Sequence, residues 1–138
     1  MKQIQLAAAL VGGALMSLSF NTAAETVVVK LRSYSEVPAV SSVATGHFKA
    51  FIDEGAGTIA YELSYGGLEG DVRQAHIHVG QAGANGGVSV YLCQTTFNPD
   101  PTGLAPACPQ SGTVTGVLGA ANVIGPAGQG VAAGELAE

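Results

Sequence analysis

Asp53-Glu54-Gly55-Ala56-Gly57-Thr58-Ile59-Ala60-Tyr61-Glu62-Leu63-Ser64-Tyr65 is the stretch that decides the fold class. Ile59, Tyr61, Leu63 and Tyr65 fall at every second position, with Thr58, Ala60, Glu62 and Ser64 between them. A period of two places the first set on one face of a strand and the second set on the other. The preceding segment, Ser42–Asp53, alternates in the same way. Phe48, Ala50 and Ile52 share one face; His47, Lys49 and Phe51 share the opposite one. Glu54-Gly55-Ala56-Gly57 between the two runs reads as a hairpin turn.

Working outward, Thr26–Arg32, Val72–Val79, Val88–Cys93 and Thr113–Leu118 are further strand candidates, separated by glycine-rich breaks at Gly66–Gly70 and Gly80–Gly87. No helical pattern of 10–15 residues intervenes, so the expected fold is all-β: an antiparallel β-sandwich or a barrel-like Greek-key domain. Valine supplies much of the apolar content, and branching at Cβ suits a pleated, half-buried surface. The exception is the tail, Gln129–Glu138. Ala132, Ala133, Glu135, Leu136 and Ala137 there are good helix formers, and they predict a short C-terminal helix start.

Composition narrows the function classes. The 138 residues, with 20 Gly, 47% hydrophobic and only 11% charged residues, suit one domain. They fit neither a charge-rich disordered chain nor a coiled coil. Five bases against ten acids give a net charge of −5, which offers no electrostatic footprint for a nucleic acid.

The N-terminus accounts for part of the apolar excess. Lys2, the uncharged run Leu6–Phe20 and the small residues Thr22-Ala23-Ala24 have the layout of a secretory signal peptide. The run is shorter than the roughly 20 residues needed to span a bilayer. Residues 1–24 are therefore expected to be removed. Residues 25–138 then form the domain, secreted or periplasmic, with no membrane span after cleavage. In such a compartment the cysteine pair, Cys93 and Cys108, reads as a disulfide. Closing a loop of that size contributes about 3 kcal/mol on chain-entropy grounds.

Few residues offer chemistry. In Ala75-His76-Ile77-His78-Val79-Gly80, strand alternation puts His76 and His78 on one face. Two imidazoles so placed could ligate copper or zinc, with His47 or an acid such as Glu62, Glu69 or Asp71 completing the set. The competing reading is that the pair hydrogen-bonds to backbone or loop groups and stiffens the sheet. The Gly80–Gly87 loop lacks the Lys-Ser/Thr of a phosphate cradle, no Gly-x-Ser-x-Gly elbow is present, and Ser111 has no histidine near it in sequence. No catalytic constellation emerges, and the chain is expected not to be an enzyme.

Several segments together resemble a known family. Leu31-Arg32-Ser33-Tyr34-Ser35-Glu36-Val37-Pro38-Ala39-Val40 is similar to the opening signature of the CHRD domain, the module named after chordin. Thr45-Gly46-His47-Phe48, Ala75–Gly80 and Asn85-Gly86 resemble the family's middle. Leu92-Cys93, Ala107-Cys108-Pro109, Val123-Ile124-Gly125-Pro126 and Gln129-Gly130 are similar to its bacterial branch. The resemblance runs over Glu25–Glu138 and implies a β-rich extracytoplasmic domain with a binding or structural role. Its partner would be an extracellular protein or a cell-surface component; in animals the family is associated with secreted growth factors. Family members continue into a strand of the type Tyr-x-Asn-Val-His-Thr and then Gly-Glu-Ile-Arg-Gly. This sequence lacks both, so the domain is expected to be C-terminally incomplete, without the family's third histidine. The alternative function, from a different class, is a copper- or zinc-binding redox protein using His76 and His78.

Overall fold

The computed structural model describes residues 24–136. The expected leader lies outside the described residues except for Ala24, as do Ala137 and Glu138. Six strands follow one another: β1 (Glu25–Arg32), β2 (Thr45–Asp53), β3 (Thr58–Gly66), β4 (Ala75–Val79), β5 (Gly87–Cys93) and β6 (Gly112–Leu118). All neighbouring pairs are antiparallel. β1, β2 and β3 form a meander. The chain then leaves to make the β4–β5 hairpin and returns as β6 beside β3, giving a four-stranded sheet in the order β1-β2-β3-β6 and a two-stranded sheet packed on it. The architecture is the all-β antiparallel sandwich that the alternation predicts.

Period-two alternation decides what is inside. Ala50 of β2, Tyr61 and Leu63 of β3, and Val114 and Leu118 of β6 are buried, while His47, Lys49, Phe51, Ala60 and Glu62 are exposed. Val90, Leu92 and Cys93 of β5 close the core from the other side, with Val123 beside them. Burying one such aliphatic side chain contributes about 1.5–3 kcal/mol. The hairpin covers β3 and β6 but not β1. Val29 and Leu31 lie opposite Phe48 and Gly46 on the inward side, yet remain 42% and 37% exposed.

A two-stranded hairpin is marginal by itself, and this one is tied down through irregularities in its own ladder. Ala75 pairs with Cys93 but His76 pairs with Tyr91; Ile77 pairs with Val90 but His78 pairs with Val88. Leu92 and Ser89 are thus skipped, which frees them for other partners. Tyr61 Oη donates to Leu92 O at 2.5 Å, and Ile124 N donates to Ser89 O at 2.9 Å. Room for the Tyr61 ring comes from Gly116, its partner on β6: a Cβ there would come within 2.6–2.8 Å of the phenol. The Cys93–Cys108 disulfide forms as expected, with its Cα atoms 5.0 Å apart.

The loop closed by that disulfide is organised by Asp100. Its carboxylate accepts from Thr102 N and Oγ1, Leu104 N and Ala105 N. Burial opposes its charge, but these donors outweigh burial and hold the carboxyl below its ordinary value. Three glutamine amides act as two-ended clamps on the backbone. Gln94 joins Asp100 N to Ala105 O, Gln110 joins Val72 N to Gly70 O, and Gln129 joins Gly87 N to Val79 O.

Three boundaries differ from the sequence expectation by more than one residue. β2 begins at Thr45 rather than Ser42, because Ser42 Oγ accepts from Ala44 N in a local turn. β4 begins at Ala75 rather than Val72, because Val72 N is taken by Gln110. In place of the helix start expected over 129–138, one 3-10 turn covers Ala127–Gln129 and ends at Gly130, with φ +92°. Gly134, at φ +86°, breaks the chain again and donates to Val123 O. Helix propensity therefore loses to two glycines and to the packing of Val131 and Leu136 against the core.

Tyr61→Phe keeps the ring over Gly116 and removes only the donor to Leu92 O. The expected loss is about 1–3 kcal/mol, read as a lower urea midpoint with an unchanged denaturant slope. An unaltered midpoint would show that the hydroxyl does not secure the hairpin.

Candidate functional site

A cleft of about 520 Å³ opens where the β1–β2–β3 end of the sheet meets β4. Leu31, Gly46, Tyr65 and Leu68 make apolar walls, and His76 and His78 stand on the β4 side. Gly46 has no room for a side chain at this end of the sheet: a Cβ there would come within 2.7 Å of Ser64 O. Concave, largely apolar sites with a few convergent polar groups are where small ligands and peptide side chains bind.

The histidines share a face, as the alternation predicts, because both register skips fall on β5 and leave the alternation of β4 intact. Their Nε2 atoms are 2.8 Å apart, and the rings meet edge to face with centroids 4.5 Å apart. His78 Nδ1 lies 2.7 Å from Gly86 O. A carbonyl only accepts, so His78 carries its proton on Nδ1 and presents a lone pair at Nε2. His76 must then donate from Nε2, which leaves His76 Nδ1 as a buried lone pair with no partner. Burial, helped by the neighbouring His78, pushes the His76 imidazole below its ordinary value. Neutral His76 is therefore the favoured state near neutral pH.

Local sequence explains why Gly86 can reach His78. A Cβ at Gly86 would collide with the Val79 carbonyl, so only glycine lets the returning chain pass this close. Gln129, from far along the chain, then clamps the two ends of the same loop, Val79 O and Gly87 N. The family-like stretch contained this glutamine, but its role depends on backbone atoms 42 and 50 residues away, which no local pattern reports.

The other expected ligands do not join the pair. His47 sits on the outer, exposed face of β2, opposite Lys30 and Ser64, whereas His76 and His78 line the inner cleft. Glu62 is on the same outer face as His47, and among the described residues no three of His, Cys, Asp and Glu come together as a metal-binding group. Two serine hydroxyls of the cleft are engaged locally: Ser33 Oγ donates to Ser42 O, and Ser42 Oγ accepts from Ala44 N. No helix among the described residues is long and apolar enough to cross a membrane.

Comparison with known proteins adds one finding. The family model described as the CHRD domain matches residues 27–135, covering both sheets, the disulfide and the cleft. Neither curated proteins nor solved structures give a match.

His76 makes stability pH-dependent in a defined direction. His76 has a folded pKa below the ordinary 6.5, so the unfolded chain binds the proton more readily. Its stabilising contribution is complete above about pH 6.5, declines as the pH falls below that value, and levels off beneath the lowered folded pKa. Urea midpoints measured from about pH 7.5 to 5 should fall on this schedule, and His76→Gln should flatten the fall. A wild-type midpoint constant over that range would contradict the lowered His76 imidazole.

Proposed function

The chain belongs to the CHRD domain family, and on that premise we propose that it is an extracytoplasmic binding domain, non-catalytic, whose ligand seats in the cleft between β1–β3 and β4. The observation that carries this reading is the cleft itself. It is apolar on the sheet side, polar at the imidazole pair, and framed by elements that the disulfide, Tyr61 and Gln129 hold in place. A rigid frame lowers the ordering cost that binding would otherwise incur.

The non-catalytic part is supported by how the polar groups are used. His76 and His78 hydrogen-bond to one another, and Ser33 and Ser42 each make a backbone bond, which favours a structural use of these groups over a nucleophile–base pairing. The extracytoplasmic part is supported by the signal-like N-terminus and by a disulfide that encloses a loop with no competing thiol among the described residues. A partner presenting an extended apolar segment, from another extracellular protein or a cell-surface component, suits the exposed inward side of Val29 and Leu31. The redox-metal alternative has only the converging imidazoles in its favour.

Two measurements test the proposal. Protein recovered from the producing cells should lie outside the cytoplasm, begin at Glu25, and take up no alkylating label without reductant. Cytoplasmic recovery with two labelled thiols would overturn the extracytoplasmic assignment. A panel of small apolar compounds and short peptides, followed by chemical-shift mapping, should perturb Leu31, Gly46, Tyr65 and Leu68 together. Perturbations confined to the outer face around Phe51 and Val117 would reject the cleft as the binding site.

A further inference from the structure

We infer that His76 and His78 form a two-imidazole chelate for a divalent copper ion on the wall of the cleft, with the remaining coordination positions open to an exchangeable ligand. The inference rests on the reading of that cleft as a binding site and names one chemical species it takes. Three features of the pair carry it.

The first is distance. At a copper–nitrogen bond of about 2.0 Å, two nitrogens 2.8 Å apart subtend roughly 90° at the ion. That is the angle between neighbouring ligands in the tetragonal geometry Cu(II) prefers. A tetrahedral Zn(II) site would require the two nitrogens to separate to about 3.3 Å. In the metal-free pair the 2.8 Å contact is a hydrogen bond, so the distance shows that both nitrogens can reach one ion, and the choice of copper over zinc rests on the general affinity order for divalent metals.

The second feature is support behind a ligand. A metal-bound imidazole characteristically donates its other ring N–H to a carbonyl or carboxylate, which fixes the tautomer and aims the free nitrogen. His78 Nδ1 does this to Gly86 O, and Gly86 O is positioned by the close passage at Val79 and the Gln129 clamp. The third feature is access, since both imidazoles line an open cleft rather than the core.

The same geometry limits the affinity. For both Nε2 atoms to face the ion, His76 must move its proton to Nδ1, where it is buried and has no acceptor. No third protein ligand joins the pair among the described residues. Bound copper is thus expected to exchange and to take water, or a donor atom of a cleft ligand, in its open positions.

The test is titration of the purified, disulfide-intact protein with Cu(II), read by electron paramagnetic resonance and by paramagnetic broadening of backbone amides. One ion per chain should give an axial signal with coupling to two imidazole nitrogens, and broadening should centre on Ala75–Val79 and Gly86. His76→Gln and His78→Gln should each weaken binding roughly tenfold or more, while His47→Gln, on the other face, should leave it unchanged. Broadening in the wild-type protein needs no variant, so a folding defect in either substitution does not remove the test. Broadening centred on His47, or a signal with one nitrogen, would overturn the chelate. So would binding that survives the double substitution. If the copper signal fails while organic probes still map to the cleft, the chelate is rejected and the binding domain stands. If copper binds but no probe does, the broader cleft reading fails instead.

Discussion

The hydroxyl of Tyr61, buried between the two sheets, donates to the Leu92 carbonyl, and the β4–β5 hairpin depends on that attachment. Burial pushes the phenol above its ordinary value, so it remains a protonated donor at any ordinary pH. Two adjustments make the bond available. β5 skips Leu92 in its pairing with β4, and β6 has Gly116 where any side chain would displace the ring. Neither change stabilises its own strand; a skipped residue interrupts a ladder, and an internal glycine weakens a sheet. Together they convert two local defects into a bond between layers. Ser89 repeats the device, its free carbonyl receiving Ile124 N from the segment after β6.

The cleft inherits its geometry from this attachment. Held by β5 over β3 and β6, the hairpin leaves β4 facing the end of the sheet where Gly46 and Tyr65 stand. The His76–His78 pair is consequently displayed on a wall that cannot slide relative to the opposite one. The Cys93–Cys108 bond fixes the end of β5, and Asp100 turns the loop beyond it into an ordered strap through four accepted bonds. Polar side chains thus do in this small domain what extra apolar core does in larger ones.

Much of this was legible before any coordinates. Alternation in Phe48–Ile52 and Ile59–Tyr65 identified the buried faces, because a two-residue period is set by backbone geometry within the strand itself. The same logic put His76 and His78 side by side, and it also placed His47 on the polar face of its strand, although that face turned out to point away from the pair. Cys93 and Cys108 were paired by compartment and count. What escaped was everything decided by distant backbone atoms. The clamps of Gln94, Gln110 and Gln129 bind carbonyls and amides that are local only in space, and a glutamine in a loop carries no periodic signal. The tail misled for a related reason: its alanines favour a helix, but Gly130 and Gly134 and the pull of the core on Leu136 decide otherwise.

The Gln129 clamp has a temporal consequence. A chain emerging from the ribosome, or from an export channel, presents β4, His76, His78 and Gly86 long before residue 129. The disulfide partners and β6 also precede it, so every strand is available while the Val79–Gly87 loop is still untethered. The loop beside the imidazole pair therefore receives its tether late in synthesis, from a residue that touches neither histidine. Substitution of Gln129 would release the Val79–Gly87 loop alone, whereas nicking of the final segment would also take Val131 and Leu136 from the core.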